Sequence, residues 1–375
     1  MSNFNDKYYN KLQLNKNKQK EFFGINKSLT WNEYCSNFPK LPSELPATRR
    51  IVVIGDLHGD WNKMIQIYVA AKIIPELKYP DNYTSENYKD KLKWIGKDTI
   101  VVQVGDQIDS CRITNVNGEC DYESVKNDKN TANDLDILQF NTYLHSLAQT
   151  DQYHGAIYSL IGNHEIMNVE GDFRYVSEAN LRKNYKGIED LENVKSARVD
   201  DFKPGSNIAS FLACTRQSIL KIGSNLFVHA GVVSKIAKKY KIDEVNEVVR
   251  KFLLDRLSIE EQNSELYKDL FVFKDESPLW TRAYSKILNN DNDCNKMLGD
   301  LKEYWKVGSV LVGHTPQMNG ISKKCSDKII FTDYGSSKSF DPFRSNKTSG
   351  IQYLEILNDK NFSICPNESN GNNCK

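Results

Sequence analysis

No apolar run in this 375-residue chain approaches the about 20 residues that a membrane-spanning helix needs. The first stretch, MSNFNDKYYNKLQLNKNKQK, has no apolar core of the secretory-leader kind. Neither sign of charge is in excess: 50 Lys and Arg stand against 49 Asp and Glu, for a net charge of +1. That balance removes the electrostatic ground for a nucleic-acid or anionic-membrane partner. The eight cysteines (35, 111, 120, 214, 294, 325, 365 and 374) include no CxxC pair, which speaks against zinc-ribbon and thioredoxin chemistry. They read as mostly reduced thiols, and with no leader or span the expected location is cytoplasmic. Histidine is scarce, at six residues. Asparagine, in contrast, makes up roughly one residue in ten, well above an ordinary globular background. With abundant Lys, Ile and Tyr it reads as the coding bias of an A+T-rich genome, and the several N-x-[ST] triplets follow from it.

Hydrophobic content of 39% and charged content of 26% are ordinary for a globular protein with a large core. Residues 1–45 read as an N-terminal extension, partly disordered, and the proline-rich SNFPKLPSELPATRR (36–50) reads as an extended lead-in across its boundary with the domain. A catalytic domain is expected over 46–360, and 361–375, ending CPNESNGNNCK, reads as a disordered tail. Two Asn/Asp/Lys/Tyr-rich insertions, 75–97 and 111–132, interrupt the domain as loops that either shape access to a site or are simply solvated.

Five apolar stretches run directly into a polar cluster: RIVVIGDLHGD (50–60), DTIVVQVGDQID (98–109), AIYSLIGNHE (156–165), NLFVHAG (225–231) and SVLVGHTPQ (309–317). Short β-branched runs without alternation are the pattern of strands buried on both faces. Helical patterns at 61–72 and 133–150 separate some of them, and KIIFTD (328–333) and GIQYLEI (350–356) read as further strands. Alternating strands and helices imply an α/β sheet, whose ligands gather beyond the carboxyl ends of the strands. Four of the six histidines (58, 164, 229 and 314) fall in these clusters, among Asp and Asn side chains. Carboxylate, carboxamide and imidazole without thiolate suit Mn, Fe or Zn, with Mg less natural beside so much imidazole.

In their order, GDLHGD, GDQID, GNHE, HAG and GHTP resemble the signature of the calcineurin-like metallophosphoesterases, and within them the phosphoprotein phosphatase superfamily. GNHEIMNVEGDFRYV (162–176), SPLWTRAY (277–284) and VGHTPQ (312–317) resemble the bacterial-type Shewanella-like protein phosphatases. The resemblance covers residues 50 to 356 or so and implies a fold of two packed mixed β-sheets flanked by helices, an αββα sandwich with a dinuclear metal site at strand ends. It implies two divalent or mixed-valence ions (Mn2+, Fe2+/Fe3+ or Zn2+). Asp56, His58 and Asp106 would hold the first, and Asp106, Asn163, His229 and His314 the second. A pair of ions about 3.5–4 Å apart makes a bridging hydroxide available near neutral pH for in-line attack on a phosphomonoester. His164 is the implied general acid, oriented by Asp109.

Relatives of the animal type carry arginines in GDxxDRG and RGNHE, whereas Ser110 and Ile161 occupy those places here. The phosphate must then be gripped by other arginines: Arg282 and Arg174, which lie in the branch-specific motifs, are favoured over Arg112. The expected substrate is a phosphoprotein or phosphopeptide, Ser/Thr or Tyr. The alternatives are a small phosphoester such as a dinucleoside polyphosphate, or a catalytically inactive phospho-binding module.

Overall fold

The computed structural model describes residues 35, 38, 41–77, 82–113, 128–150, 152–344 and 350–366. Twelve strands over these residues form two six-stranded sheets. One has the order β12-β11-β2-β3-β4-β5 and the other β1-β6-β7-β8-β10-β9. In the first, β2 (Arg50–Ile54), β3 (Ile100–Gln103), β4 (Ala156–Leu160) and β5 (Arg216–Gln217) run parallel, in the register Val52↔Val101 and Val101↔Ile157. On the far side of β2 lie β11 (Tyr353–Leu357) and β12 (Asn361–Cys365), each antiparallel to its neighbour. In the second sheet β7 (Asn225–Val228), β8 (Ser309–Val312) and β10 (Ile329–Phe331) are adjacent and parallel, with β6 (Ile219–Ile222) and β9 (Ser322–Lys324) antiparallel at the flanks. The short β1 (Glu44–Leu45) pairs parallel with β6.

The pleat explains the layers. Ile51 and Val53 point inward, with Val102, Leu220, Phe227, Leu311, Ile330 and Leu354, into a core between the sheets. Val52 and Ile54 point outward, against the helices Trp61–Ala70 and Asp134–Ala148. On the second sheet Leu226, Val228, Val310, Val312 and Phe331 pack against the helices Asn207–Thr215, Ile242–Leu253 and Asp291–Trp305. The result is the expected αββα sandwich. Strands buried on both faces need no alternation, which is why β2 reads as an unbroken apolar run. Truncating one of its fully buried residues, as in Ile51→Ala, would cost roughly 2–5 kcal/mol.

Several expectations are corrected. Residues 361–365 are not tail but the edge strand β12, whose alternating exposure and Asn-rich flank hide it from an apolar-run criterion. Within insertion 75–97, Tyr83, Tyr88, Leu92 and Trp94 are buried on the outer face of the first sheet, so much of it is core rather than solvated loop. Residues 1–34, 114–127 and 367–375 lie outside the described residues, and with them most of the N-terminal extension, the centre of the second insertion and the rest of the tail. The reduced thiols are overturned. Cys35 is bonded to Cys214 and Cys294 to Cys325, Cys111 and Cys365 are also disulfide-bonded, and no described cysteine is free. Structural disulfides persist in oxidising compartments, so the thiols give no support to a cytoplasmic location. Among the described residues, no helix is long and apolar enough to cross a membrane.

Candidate metal centre

Three adjacent strand ends of each sheet converge on one point. From the first sheet, β2 ends in Gly55-Asp56-Leu57-His58, β3 leads to Asp106, and β4 leads to Asn163 and His164. From the second, β7 ends at His229 and β8 leads to His314. All of these side chains are buried. His58, Asp106 and His164 form one group with ligand atoms within 4.8 Å of one another; Asp106, His229 and His314 form a second. Asp106 is common to both. Its Oδ2 lies 3.3 Å from His229 Nε2, 3.8 Å from His164 Nε2 and 4.0 Å from His58 Nε2. Asp56 Oδ2 is 3.9 Å from His58 Nε2 and accepts the main-chain N–H of His314 at 3.0 Å. Asn163 Oδ1 lies 2.9 Å from His229 Nε2 and 2.7 Å from His314 Nδ1.

The ring orientations follow from the outer hydrogen bonds. His58 Nδ1 lies 3.0 Å from Ile108 O, and His229 Nδ1 2.8 Å from Val104 O, so each donates there and presents Nε2 to the cluster. His314 is turned the other way, with Nε2 on Trp280 O at 2.9 Å and Nδ1 inward. Burial, with the charges of Arg112 and His164, holds His58 well below the usual imidazole range. Burial, with His229 and Arg282, does the same to His314. A neutral imidazole is the ligating form.

The backbone is bent to deliver these groups. His58, Asp106, Asp109 and His314 have φ of 46°, 51°, 71° and 63°, left-handed values that cost a non-glycine residue roughly 1–2 kcal/mol each. Close approach dictates two glycines: a Cβ on Gly162 would collide with Asp106, and one on Gly313 with Asp56. Glu165, part of the GNHE stretch but assigned no role from sequence, ties two of the turns together. Its carboxylate accepts from the main-chain N–H of Asp106 (3.0 Å), Gln107 (2.8 Å) and Gly162 (2.7 Å).

The donor set fits divalent cations. Asp56 Oδ1 is buried with no hydrogen-bond partner, and so is Oδ2 of Asp333, at the end of β10. Burial, then the charges of Asp333 and Asp106, pushes the Asp56 carboxyl well above the usual carboxylate range. A cation between these groups would relieve that repulsion.

Beside the cluster, His164 Nδ1 is 2.8 Å from Asp109 Oδ2, and Asn168 Nδ2 donates to both oxygens of Asp109 at 2.9 Å. Fully buried Arg198 donates to Asn168 Oδ1 (2.8 Å) and to Asp134 Oδ2 (3.1 Å), while Asp134 Oδ1 accepts the Asp109 N–H (3.1 Å). The Tyr175 ring lies edge-on to His164, with centroids 4.8 Å apart.

The three arginines are placed very differently. Arg112 is buried, stacks 4.4 Å over the Phe340 ring, donates from Nη1 to Asp109 O at 3.1 Å, and has Nη2 without a partner. Its charge is felt by Asp106, Asp333, Asp109 and Asp56. Arg282 is exposed at the rim, donating to His314 O (3.0 Å) and Thr315 Oγ1 (3.3 Å). Arg174 is exposed and ion-paired with Asp172 at 2.8 Å.

Residues 49–318 match the sequence model of the calcineurin-like phosphoesterases. The chain belongs to that family. With two overlapping metal-binding triads, it is a metal-dependent phosphoesterase of the calcineurin-like superfamily. It is 37% identical over 254 residues to an uncharacterised protein of Acanthamoeba polyphaga mimivirus, a match covering 59% of this chain and 96% of that one. It is 28% identical over 340 residues to Shewanella-like protein phosphatase 2 of Arabidopsis thaliana, covering 80% of this chain and 76% of that one. Among solved structures, the cold-active protein-tyrosine phosphatase of a psychrophilic Shewanella superposes with a TM-score of 0.57 at 20% identity, covering 87% of this chain and 82% of that one. At that identity the likeness concerns the fold.

Proposed function

We propose that this calcineurin-like phosphoesterase is a protein phosphatase of the Shewanella-like branch, hydrolysing phosphomonoesters on phosphoserine, phosphothreonine or phosphotyrosine side chains. The observation that carries the reading is the pair of triads sharing Asp106, one of which contains His164, itself paired with Asp109. Relatives named Shewanella-like protein phosphatases, from Arabidopsis thaliana and Plasmodium berghei, support the branch.

In this reading Asp56, His58 and Asp106 hold one ion, and Asp106, Asn163, His229 and His314 the other, whether Mn2+, Fe2+/Fe3+ or Zn2+. When bound, the ions neutralise phosphoryl oxygens and activate a water near neutral pH. The leaving oxygen needs a proton, and His164 Nε2 faces the cluster to supply it. Asp109 fixes the ring through Nδ1, and Asn168 and Arg198 keep Asp109 in place. Arg112 is the first candidate to hold a phosphoryl oxygen, through the unpartnered Nη2, ahead of Arg282 at the rim and Arg174 in its surface pair.

The test is hydrolysis by metal-reconstituted protein across phosphoserine, phosphothreonine and phosphotyrosine peptides and dinucleoside polyphosphates. Turnover of peptides well above the nucleotides is expected. Preference for the dinucleoside polyphosphate contradicts the protein-phosphatase reading, and absence of any hydrolysis by metal-loaded protein contradicts an enzyme altogether.

A further inference from the structure

Five of the six strand ends that meet at the centre have roles in the reading above; the sixth does not. In the second sheet β7, β8 and β10 are neighbours and parallel, so their carboxyl ends lie side by side. The first two deliver His229 and His314, and the third delivers Asp333. Asp333 is 1% exposed. One of its oxygens accepts the Gly335 N–H at 2.8 Å, and the other has no partner. Its charge bears on Asp56, whose Oδ1 is also buried and unpartnered.

The segment after Asp333 is wrapped onto the Asp56–His58 turn. Ser336 Oγ donates to Asp56 O at 2.9 Å, Ser337 Oγ lies 3.4 Å from His58 O, and the Lys338 N–H donates to Asp60 Oδ2 at 2.9 Å. Gly55 and Thr332 cross so closely that a Cβ on Gly55 would strike the Thr332 carbonyl. The main chain on both sides of Asp333 is thereby held against the Asp56–Asp60 turn. Burying two carboxylates whose charges bear on each other, each with an oxygen that no protein donor satisfies, is costly unless a cation lies beside them. Arg112 faces Asp56, Asp106, Asp109 and Asp333 together, and the charge of Arg344 also reaches Asp333. Neither guanidinium donates to Asp56 Oδ1 or to Asp333 Oδ2.

We propose that Asp333 is a further carboxylate of the metal centre, facing the cation held by Asp56, His58 and Asp106 and raising the affinity of that side over the other. The proposal rests on the dinuclear reading above. It gives β10 the same task as its neighbours: each of the three adjacent strands of this sheet ends in a side chain for the centre.

Asp333→Asn keeps the size of the side chain and the acceptor for Gly335, and removes the charge. Calorimetric titration of chelator-treated protein with Mn2+ reads the two sites, and thermal unfolding with and without Mn2+ reads the structural role. Wild type is expected to bind two ions. Asp333→Asn is expected to bind one as wild type does and the other about 10–100-fold more weakly, the usual cost of removing a partner around a metal site. Without metal the variant should melt no lower than wild type; with Mn2+ it should melt lower. Unchanged affinity for both ions, or an equal loss of melting temperature with and without Mn2+, would make Asp333 merely structural and overturn the proposal. If wild type itself takes up no metal, the dinuclear reading falls first and this inference with it. Should Asp333→Asn fail to fold, Asp333→Ser, which retains an acceptor, is titrated in its place under the same criteria.

Discussion

His164 and Asp109 face each other at 2.8 Å, Nδ1 to Oδ2, although 55 residues separate them in the chain. The pair leaves Nε2 of His164 3.8 Å from Asp106 Oδ2, inside the cluster yet held from behind by a carboxylate that Asn168 and Arg198 keep in register. In the proposed reaction a ring held that way supplies the proton to the leaving oxygen. His164→Asn should keep both metal ions and slow hydrolysis of alkyl phosphates by roughly 10²–10⁴-fold. The loss should shrink for para-nitrophenyl phosphate, whose leaving group needs little protonation. Equal losses on both esters, or loss of one metal ion, would show His164 to be a ligand rather than an acid.

Arg112, buried with an unpartnered Nη2, should matter more than the two exposed arginines. Arg112→Ala is expected to lower kcat/KM by an amount worth roughly 2–4 kcal/mol, as for loss of a charge-assisted contact in a buried site, and to weaken inhibition by inorganic phosphate. Arg112→Lys should recover only part, since an ammonium lacks the planar fork and stacks less well on Phe340. Arg282→Ala and Arg174→Ala should cost less. If Arg282→Ala shows the large loss and Arg112→Ala does not, the rim holds the phosphate.

Away from the site, His145 should make the fold acid-sensitive. It is buried beside Tyr158, and its Nδ1 accepts the Ile157 N–H at 3.1 Å. Burial, with a smaller contribution from the charge of Arg216, pushes its pKa from 6.5 down to about 4. The unfolded chain therefore binds a proton first as pH falls. The stabilisation from keeping this ring neutral is fully present above pH 6.5 or so and is lost as pH drops towards 4, by about 3 kcal/mol in all. Urea unfolding of metal-free protein between pH 7.5 and 4.5 should show a shallower pH dependence for His145→Gln than for wild type. Parallel curves would contradict this placement of the ring.

Much of the centre is legible in the sequence because strands buried on both faces leave short apolar runs, and the side chains that matter follow them at once. That rule exposes Asp56, His58, Asp106, Asn163, His164, His229 and His314. It applies equally to Asp333 after KIIF, but that strand has three residues and no histidine at its end, so it passes unremarked. Arg198, Asn168 and Asp134 are not legible: they meet Asp109 from three different helices, and the helix carrying Arg198 is mostly polar, without a clear apolar stripe. The burial of Arg112 and the exposure of Arg282 and Arg174 are not legible either, because membership in a motif says nothing about which way a long side chain is turned. Disulfide pairing is hidden for another reason, since spacing alone does not fix connectivity.

The bonds Cys35–Cys214 and Cys294–Cys325 carry their own test. Cys294 on the helix Asp291–Trp305 is tied to Cys325 in the β9–β10 connection, 31 residues on. Closing such a loop in the unfolded chain is worth about 3–4 kcal/mol. The variant carrying both Cys294→Ser and Cys325→Ser should melt at a clearly lower temperature. In protein isolated from its native cell, neither cysteine should be alkylated until a reductant is added. Labelling of both thiols without reductant would refute the bond.

Asp106 belongs to both triads, so the dinuclear account depends on it more than on any other side chain. The most direct measurement is metal content per chain together with phosphomonoester turnover, for wild type and Asp106→Asn prepared alike. The account predicts two ions per chain in wild type, and a loss of metal and of turnover together once the shared charge is removed. Two ions retained at full turnover in Asp106→Asn would contradict it.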